Sequence, residues 1–374
     1  MGISKSAIAK TFAVVSIIAT MFASANRLNA GQGAGKPQFS NGKVQERQIK
    51  SGLTQEVDAW AAGAGQPQWL GYSVPAVSSD QRMCCGDSGS DWNSRKCGPC
   101  RLEGGKGENG YNVQNGNVKL EGPTALVVLL RAEGHQIGKI RAVSEDCMLD
   151  AGGLEVTWLT GVQPGESVKL LERFVDGKEL DERGGDRLSR SALMAIAMHG
   201  DPAADQAVAR FTTPTQPEGT RREAAFWAGE ARGAAGVQLL KRMAKEDPSS
   251  EVRAQVTFAL SLSRESNAID EMIRMAHEDP STHVRGQALF WLAQKAGKKA
   301  SSAISGAIEN DPDTEVKKKA VFALSQMPKE EGVAKLIQVA ETNRNPEVRK
   351  QAMFWLGQSN DPRALEFFEK MLAK

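Results

Sequence analysis

The stretch that decides the fold is "EVRAQVTFALSLS" at residues 251–263, because similar stretches recur every 32 residues toward the C-terminus. A sequence period between about 20 and 50 residues predicts a solenoid of stacked repeats rather than one globular core. We therefore expect about six repeats in the C-terminal half. The other copies begin at His283, Glu315 and Glu347, with two looser copies upstream at Arg187 and Gly219.

Each repeat divides into two apolar segments, which are separated from the next repeat by an Asp-Pro pair or an equivalent breaker, as at Asp279-Pro280. Proline cannot continue a helix interior, so each repeat is predicted to be a hairpin of two helices. At about 100° per residue, each segment has one apolar stripe, and the two stripes are expected to face each other. In the repeat that begins at Glu251 the stripes are Val252, Val256 and Leu260, then Ile269, Ile273 and Ala276.

The repeated pattern V-R-x-x-A, an apolar leucine and a D-P turn resembles the HEAT-like repeats of the phycobilisome-lyase type. This resemblance covers roughly half of the chain, from Leu188 to Lys374. It implies a HEAT-like α-solenoid, a fold used mostly as a binding surface, so it says little about activity. It also implies that a turn aspartate bonds the basic residue opening the next helix. The pairs that match are Asp247 with Arg253, Asp279 with Arg285, and Asp311 with Lys317.

Residues 1–25 have the order of a secretory signal peptide. Lys5 and Lys10 precede an uncharged apolar run that is shorter than the roughly 20 residues of a spanning helix, and Ala23-Ser24-Ala25 is a small-residue cleavage site. We expect a mature chain that begins near Asn26, has no membrane span and lies in the periplasm or outside the cell. An uncleaved N-terminal anchor is the alternative.

The charge balance argues against a nucleic-acid partner. The chain has 47 basic and 45 acidic residues, and removal of Lys5 and Lys10 leaves 45 of each. A surface that binds phosphates normally needs a clustered basic excess. The sequence therefore predicts a protein partner rather than a nucleic acid.

Two regions are expected between the leader and the solenoid. Residues 26–66 are rich in glycine, asparagine and glutamine, which predicts a flexible linker, with one short helix that ends at Gly63. Residues 67–163 alternate turns with runs that favour strands, which predicts a small β-rich domain. A helix beginning at Pro164 then leads into the solenoid, which is expected to span residues 164–374.

All five cysteines fall in the β-rich domain. Two disulfides among Cys84, Cys85, Cys97 and Cys100 would hold a segment with few apolar residues, and an exported chain meets an oxidising compartment. Zinc binding by the same four thiolates and thiol redox chemistry at the "CGPC" motif remain alternatives. Cys147 is expected to be buried or to pair with this cluster.

Other chemistry is sparse in this sequence. His277-Glu278 is the one match to the His-Glu dyads by which HEAT-like deoxyhypusine hydroxylases bind iron, and one dyad cannot hold such a site. We therefore predict no catalytic residue, no metal and no cofactor. The function expected is an exported scaffold that binds a protein partner. An enzyme that uses the cysteine cluster for thiol, metal-dependent or lyase-like chemistry is the alternative.

A column of phenylalanines lies off the predicted core stripe, since Phe258 falls at about 240° when Val252 is the origin. Two interpretations remain open. The rings could pack between adjacent second helices, alternating with the Trp227, Ala259, Trp291, Ala323 and Trp355 series, or they could form an exposed stripe on the concave face that binds an extended partner. The column is Phe226, Phe258, Phe290, Phe322 and Phe354, and its polar neighbours are Gln255, Gln287, Gln294, Gln326 and Gln358.

Overall fold

The computed structural model describes residues 35–77, 83, 100–103, 124–180, 187–295 and 297–373. The predicted leader, together with Cys84, Cys85 and Cys97, lies outside these residues. The described part is mostly helical, with a small sheet-containing region before the helical repeats, as the sequence predicted. Its helices are α1 (Leu53–Ala62), α2 (Pro164–Glu172), α3 (Arg187–Met198), α4 (Pro202–Phe211), α5 (Glu218–Ala231), α6 (Gly233–Glu246), α7 (Ser250–Leu262), α8 (Asn267–Glu278), α9 (Thr282–Lys295), α10 (Lys298–Asn310), α11 (Thr314–Ser325), α12 (Lys329–Thr342), α13 (Pro346–Gln358) and α14 (Pro362–Leu372).

The strands form one sheet of five strands and a smaller one of three. The larger sheet has the order β2-β8-β3-β5-β6, in which β2, β8 and β3 run parallel and β3, β5 and β6 run antiparallel. The smaller sheet has the order β1-β7-β4. The strands are β1 (Phe39–Ser40), β2 (Lys43–Gln48), β3 (Gln68–Pro75), β4 (Cys100–Arg101), β5 (Ala125–Glu133), β6 (Gln136–Ser144), β7 (Leu149–Asp150) and β8 (Glu155–Thr160).

The prediction of a flexible linker is wrong for residues 35–66, which contain the strand β2, while residues 26–34 of that prediction lie outside the described residues. The strand pairs with β8 along its whole length, from Lys43 opposite Glu155 to Gln48 opposite Thr160. Its side chains are nearly all exposed, so the strand is held by backbone hydrogen bonds rather than by an apolar face. The short helix predicted in this region is α1, which ends at Ala62 with Gly63 as its C-cap.

The larger sheet is covered on both faces. Leu70 and Tyr72 on β3 and Val128 on β5 pack toward the helices, in the core that continues through the repeats. On the other face, Trp69 and Trp158 pack against the smaller sheet in a separate apolar cluster that includes both described cysteines. Burial on both faces explains why β3 and β5 are long runs of buried residues rather than alternating strands.

A buried hydrogen-bonded chain joins the sheet to the solenoid. The Nδ1 atom of His199 lies 2.6 Å from the carbonyl oxygen of Ala195, and its Nε2 atom lies 2.8 Å from the Ser167 hydroxyl. That hydroxyl is also 2.8 Å from the hydroxyl of Tyr72. A carbonyl can only accept, so Nδ1 donates, Nε2 accepts from Ser167, and Ser167 accepts from Tyr72. Strand β3 and helices α2 and α3 are therefore linked through groups that are fully satisfied.

Six helical hairpins follow, as predicted, from α3/α4 to α13/α14. The first helices of successive hairpins pack on one another, and each also packs on its own second helix. Val252, Val256 and Leu260 are fully buried, as the sequence predicted. In the second helix, Ala276 is fully buried as predicted, whereas Ile269 and Ile273 are only partly buried and Ala268 and Met272 are buried beside them. The fully buried side chains of α8 are Ala268, Met272, Met275 and Ala276.

Arginine and aspartate form a buried ladder through the hairpins, but with a pairing that differs from the prediction. Arg253 binds the carboxylate of Asp279 with its Nε and Nη2 atoms, at 2.8 and 3.1 Å, and reaches Asp247 only through the backbone carbonyl, at 2.9 Å. The two helices of a hairpin are antiparallel, so the start of the first lies beside the end of the second. The other pairs are Arg221 with Asp247 and Arg285 with Asp311.

The predicted pair of Asp311 and Lys317 is therefore wrong. The carboxylate of Asp311 is bound by Arg285, and the Lys317 ammonium donates to the carbonyl oxygen of Glu309 at 2.9 Å. The position that would pair with Lys317 is Asn343, so both members of the ladder pair change together in this repeat. Arg349 reaches Asn343 through the backbone carbonyl, at 2.8 Å.

Candidate interaction surface

The phenylalanine column lies on the first helices of the hairpins, where the rings from Phe226 to Phe322 contact aromatic rings of a neighbouring first helix and Phe354 contacts Trp355 of its own helix. Phe226 stacks on Phe258 with ring centroids 6.1 Å apart, and Phe290 stacks on Phe322 at 6.0 Å. These ring contacts are all between first helices, whereas one of the two interpretations placed the rings between adjacent second helices. The predicted alternation with large and small partners is seen, because Trp291 lies 4.6 Å from Phe258 and Trp355 lies 4.9 Å from Phe322.

These contacts join eight rings into one continuous series, here called the aromatic ribbon. Neighbouring centroids lie between 4.6 Å and 6.1 Å apart, within the range in which aromatic pairs attract each other. In order along the solenoid, the ribbon consists of Trp227, Phe226, Phe258, Trp291, Phe290, Phe322, Trp355 and Phe354.

The ribbon is half-buried along most of its length, and its last ring, at the C-terminal end, is the most exposed. Trp227 is buried, the four phenylalanines from Phe226 to Phe322 are intermediate, and Phe354 is 53 % exposed. Every ring of the ribbon except Trp227 is therefore partly accessible to solvent. A series of this kind offers apolar contact area without unfolding of the helices.

The predicted glutamines flank the ribbon. Residues three or four apart share a helix face, so Gln255 and Gln287 lie one turn before Phe258 and Phe290. Both are partly buried. Gln294, Gln326 and Gln358 lie one turn after the ring of their own helix, and all three are exposed. The surface thus combines an aromatic ribbon with amide groups that can both donate and accept hydrogen bonds.

At its N-terminal end the ribbon is fixed by a partly buried acid, Glu223. The indole Nε1 of Trp227 donates to Glu223 at 3.0 Å, and Arg190 lies 3.9 Å from the same carboxylate. Burial raises the pKa of Glu223, while Arg190 and the Trp227 hydrogen bond act in the opposite direction. At the C-terminal end, by contrast, the Nε1 atom of Trp355 is buried and has no hydrogen-bond partner.

A cavity of about 150 Å³ opens beside Trp355. It lies where the end of α11, the start of α12 and the end of α13 meet, and it includes both Gln326 and Gln358 in its wall. We refer to this space as the Trp355 cavity. The spacing of apolar residues does not indicate this cavity, but the repeats differ there, because Ser359 stands at the register of Lys295.

The described cysteines are both in disulfide bonds. Cys100 and Cys147 are buried, beside the strand pair that sets Cys100 opposite Leu149. The chain has five cysteines, so a bonded Cys147 takes one of the other four as its partner. The predicted pairing of Cys84, Cys85, Cys97 and Cys100 entirely among themselves is therefore wrong, because β7 brings Cys147 into the same layer as β4.

Neither a metal centre nor a membrane span is found in the part of the chain that the structure describes. No group of three or more histidine, cysteine, aspartate or glutamate side chains there could hold a metal ion. Among the same residues, no helix is both long enough and apolar enough to cross a bilayer.

A family profile for HEAT repeats matches residues 212–293 and 301–374. Residues 212–374 are HEAT repeats. The C-terminal half of the chain is thus a HEAT-repeat solenoid, as the resemblance implied. No curated protein sequence matches the chain at a significant level.

Several solved structures are similar to the repeat region, all at low identity. Human deoxyhypusine hydroxylase in complex with glycerol is 14 % identical over 55 % of this chain and 90 % of its own, with a TM-score of 0.27. The CpcE and CpcF complex of phycocyanin lyase from a Nostoc species is 15 % identical over 54 % and 81 %, with a TM-score of 0.27. Kap95p, in a structure with RanGDP, is 16 % identical over 52 % and 31 %, with a TM-score of 0.35.

Proposed function

We propose that this protein is an exported interaction scaffold, and that it binds an extended segment of a partner protein across the aromatic ribbon. The observation that supports this most directly is the continuity of the ribbon. Eight rings follow one another from Trp227 to Phe354 on the first helices of five successive hairpins, and most of them keep an accessible edge.

The chemistry of this surface suits a peptide more than a small polar ligand. Aromatic side chains supply large apolar contact areas and dominate the binding energy of many protein interfaces. The amides of Gln294, Gln326 and Gln358 are exposed beside the rings, and they match the donors and acceptors of a peptide backbone. A surface with both features binds an extended segment through its side chains and its main chain together.

Export is part of the same proposal. The order of charge, apolar run and small residues over residues 1–25 supports it. The disulfide bonds of Cys100 and Cys147 also support it, because disulfides persist in oxidising compartments and are rare in the cytosol. The partner is then a protein of the periplasm or of the extracellular space.

A thiol enzyme receives less support. Cys100 and Cys147 are buried and bonded, so neither offers a thiolate to a substrate. Chemistry at this cluster would depend on Cys84, Cys85 and Cys97, which lie outside the described residues. We therefore assign to the protein a binding function and no catalysis of its own.

Site-specific photocrosslinking tests the proposed surface. A photoreactive residue in place of Gln287 lies on the face of the ribbon, whereas one in place of Gln338, on α12, lies on a second helix and serves as the matched control. Expressed in the native compartment, the Gln287 variant should give a discrete crosslinked protein that the Gln338 variant lacks. Equal crosslinking from both positions, or none from Gln287, would contradict the proposal.

A further inference from the structure

The Trp355 cavity has the character of a small binding site at the C-terminal end of the ribbon. Leu324, Val333 and Leu336 form its apolar wall, and Lys329 is the charged residue among those that line it. Its volume of about 150 Å³ is comparable with an engineered protein cavity that accommodates benzene. The cavity can therefore receive one large apolar side chain.

The indole of Trp355 brings an unused donor to this cavity. Its Nε1 atom is buried and makes no hydrogen bond, whereas the Nε1 atom of Trp227 donates to Glu223 at 3.0 Å. An unsatisfied buried donor costs free energy, and it is stabilised when an acceptor arrives. Trp355 lies in the wall of the cavity, and its Nε1 atom has almost no accessible surface, so an acceptor that enters the cavity reaches this atom when the indole turns toward it.

In the other two repeats that contain a ribbon tryptophan, a basic side chain lies at the turn that corresponds to the Trp355 cavity. Beside Trp291, the Lys295 ammonium donates to the carbonyl oxygen of Ser263 at 3.0 Å, and burial lowers the pKa of Lys295. Beside Trp227, Ala231 occupies the register of Lys295, and the next residue, Arg232, donates to the carbonyl oxygen of His199 at 2.7 Å. A long basic side chain of the protein thus crosses the turn in both earlier repeats.

In the third of these repeats the register differs, because the basic side chain that reaches the preceding turn is Arg363, which donates to the carbonyl oxygens of Lys329 and Glu330 at 2.9 and 3.2 Å. The residue at the register of Lys295 is Ser359, whose hydroxyl donates to Leu356 within its own helix at 2.7 Å. The position that is Glu265 in the earlier repeat is Lys329 here. Asp361 lies near Lys329, but its carboxylate is already bound by Arg363 at 2.8 and 2.9 Å. The cavity is thus open and has donors at its wall.

We propose that the Trp355 cavity binds the carboxyl-terminal residue of a partner polypeptide. The last side chain, which is apolar, fills the space between Leu324, Val333 and Leu336. The terminal carboxylate accepts from Trp355 Nε1 and is attracted to the Lys329 ammonium. Only a C-terminal residue combines a carboxylate with an apolar side chain. An internal acidic residue lacks the apolar side chain, and an internal apolar residue lacks the carboxylate. This inference rests on the proposed function and adds that the partner binds through its C-terminus.

The experiment compares two synthetic peptides, N-acetyl-Gly-Ser-Gly-Ser-Phe with a free carboxylate and the same peptide as its amide, in calorimetric titrations of the mature protein. The free acid should bind, and the amide should bind at least about tenfold more weakly. The variant Trp355→Phe keeps the ring and removes the donor, so it should weaken binding of the acid about tenfold or more. Trp60→Phe is the matched control, because Trp60 also has a buried Nε1 atom without a hydrogen-bond partner but lies outside the ribbon and the cavity, so this change should leave binding unchanged.

A second variant closes the cavity. The double change Ser359→Lys with Lys329→Glu places at this site the residues found at the same register beside Trp291, so it should fold normally and bind neither peptide. Equal affinity for acid and amide, equal weakening by the two tryptophan variants, or no binding of the acid would each overturn the inference.

The crosslinking experiment separates a failure of this inference from a failure of the proposed function. If Gln287 crosslinks a partner while the acid does not bind, this inference alone fails. If the acid binds but Gln287 gives no crosslink, the proposed function of the ribbon fails.

Discussion

The carboxylate of Asp311, at the end of α10, holds the guanidinium of Arg285, near the start of α9, through two hydrogen bonds of 2.8 and 3.0 Å. Both side chains are buried, and Arg285 also donates to the carbonyl oxygen of Asp279 at 2.9 Å. The pair therefore joins the two helices of one hairpin and connects that hairpin to the preceding one. It is the third rung of a ladder that Arg221 and Arg253 begin.

Removal of one partner from this rung should destabilise the solenoid strongly. Asp311→Ala leaves a buried guanidinium without its counter-charge, so we expect a loss of about 3–5 kcal/mol in the free energy of unfolding, measured by urea denaturation. Arg285→Met together with Asp311→Leu should recover most of that loss. The matched control is Lys317→Met with Asn343→Leu, which should change stability by less than about 1 kcal/mol. A mild effect of Asp311→Ala would contradict the structural role of the ladder.

Replacement of Phe290 and Phe322 by glutamine separates binding from folding. Full removal of a buried phenylalanine costs about 3–5 kcal/mol, and these rings are only partly buried, so each change should cost about 1–2 kcal/mol. The double variant should remain folded by circular dichroism and lose the crosslink from Gln287. Phe354→Gln, at the exposed end, should change the melting temperature least. Retention of a full-strength crosslink by a folded double variant would count against the ribbon as a binding surface.

The stability of the junction should depend on pH through His199. Burial lowers the pKa of this imidazole from 6.5 to about 4, and the nearby charge of Arg232 acts in the same direction, while the Ala195 hydrogen bond and Asp201 oppose it. The unfolded chain binds the proton more tightly, so the contribution of His199 is complete above pH 6.5 and is lost as the pH falls to about 4. A shift of this size corresponds to about 3 kcal/mol.

The variant His199→Gln isolates that contribution. It lacks the titrating group, so its stability should fall less steeply between pH 6.5 and 4 than that of the natural protein, and the two urea midpoints should converge at the acid end. Carboxylates titrate in both proteins, so their contribution cancels in the difference between the two stability curves. Parallel curves over this range would mean that His199 is not the group responsible.

The cysteines should leave about one free thiol. Five cysteines with two disulfide bonds leave one, and Cys100 and Cys147 are both bonded in the structure. Thiol titration of the denatured, unreduced protein measures this number. Four or more free thiols together with bound zinc would instead favour a metal site over disulfides.

The exported protein should begin near Asn26. Lys5 and Lys10, the apolar run and Ala23-Ser24-Ala25 together predict cleavage at that point. The intact mass of the protein recovered from the periplasm or the medium tests it. A full-length mass in the membrane fraction would indicate an uncleaved anchor.

The sequence predicted the repeats because their information is local and is restated every 32 residues. Val252 and Leu260 mark the core in any single copy. The ladder was harder to predict, since Asp247 and Arg253 are close in sequence whereas the true partners Arg253 and Asp279 meet only when the hairpin closes. The coupled change at Lys317 and Asn343 would have indicated the correct pairing.

The strand β2 and the Trp355 cavity escaped prediction for different physical reasons. An edge strand with exposed side chains, such as Lys43–Gln48, has no apolar pattern, because its backbone hydrogen bonds to β8 define it. The cavity depends on a side chain that is shorter than its counterpart, Ser359 against Lys295, and the spacing of apolar residues does not record that difference. The spacing of apolar residues therefore predicts buried side chains more readily than cavities.

Tryptophan follows the ribbon phenylalanine in every second hairpin, at Trp227, Trp291 and Trp355, and alanine follows it in the hairpins between them. The solenoid therefore has two lengths of repetition, one hairpin for its backbone and two hairpins for its aromatic surface. Loss or duplication of a single hairpin would preserve the helical stack and put two tryptophans, or two alanines, side by side. Only insertions or deletions of paired hairpins keep the surface in phase, so the length of this array can change by even steps without rebuilding the ribbon.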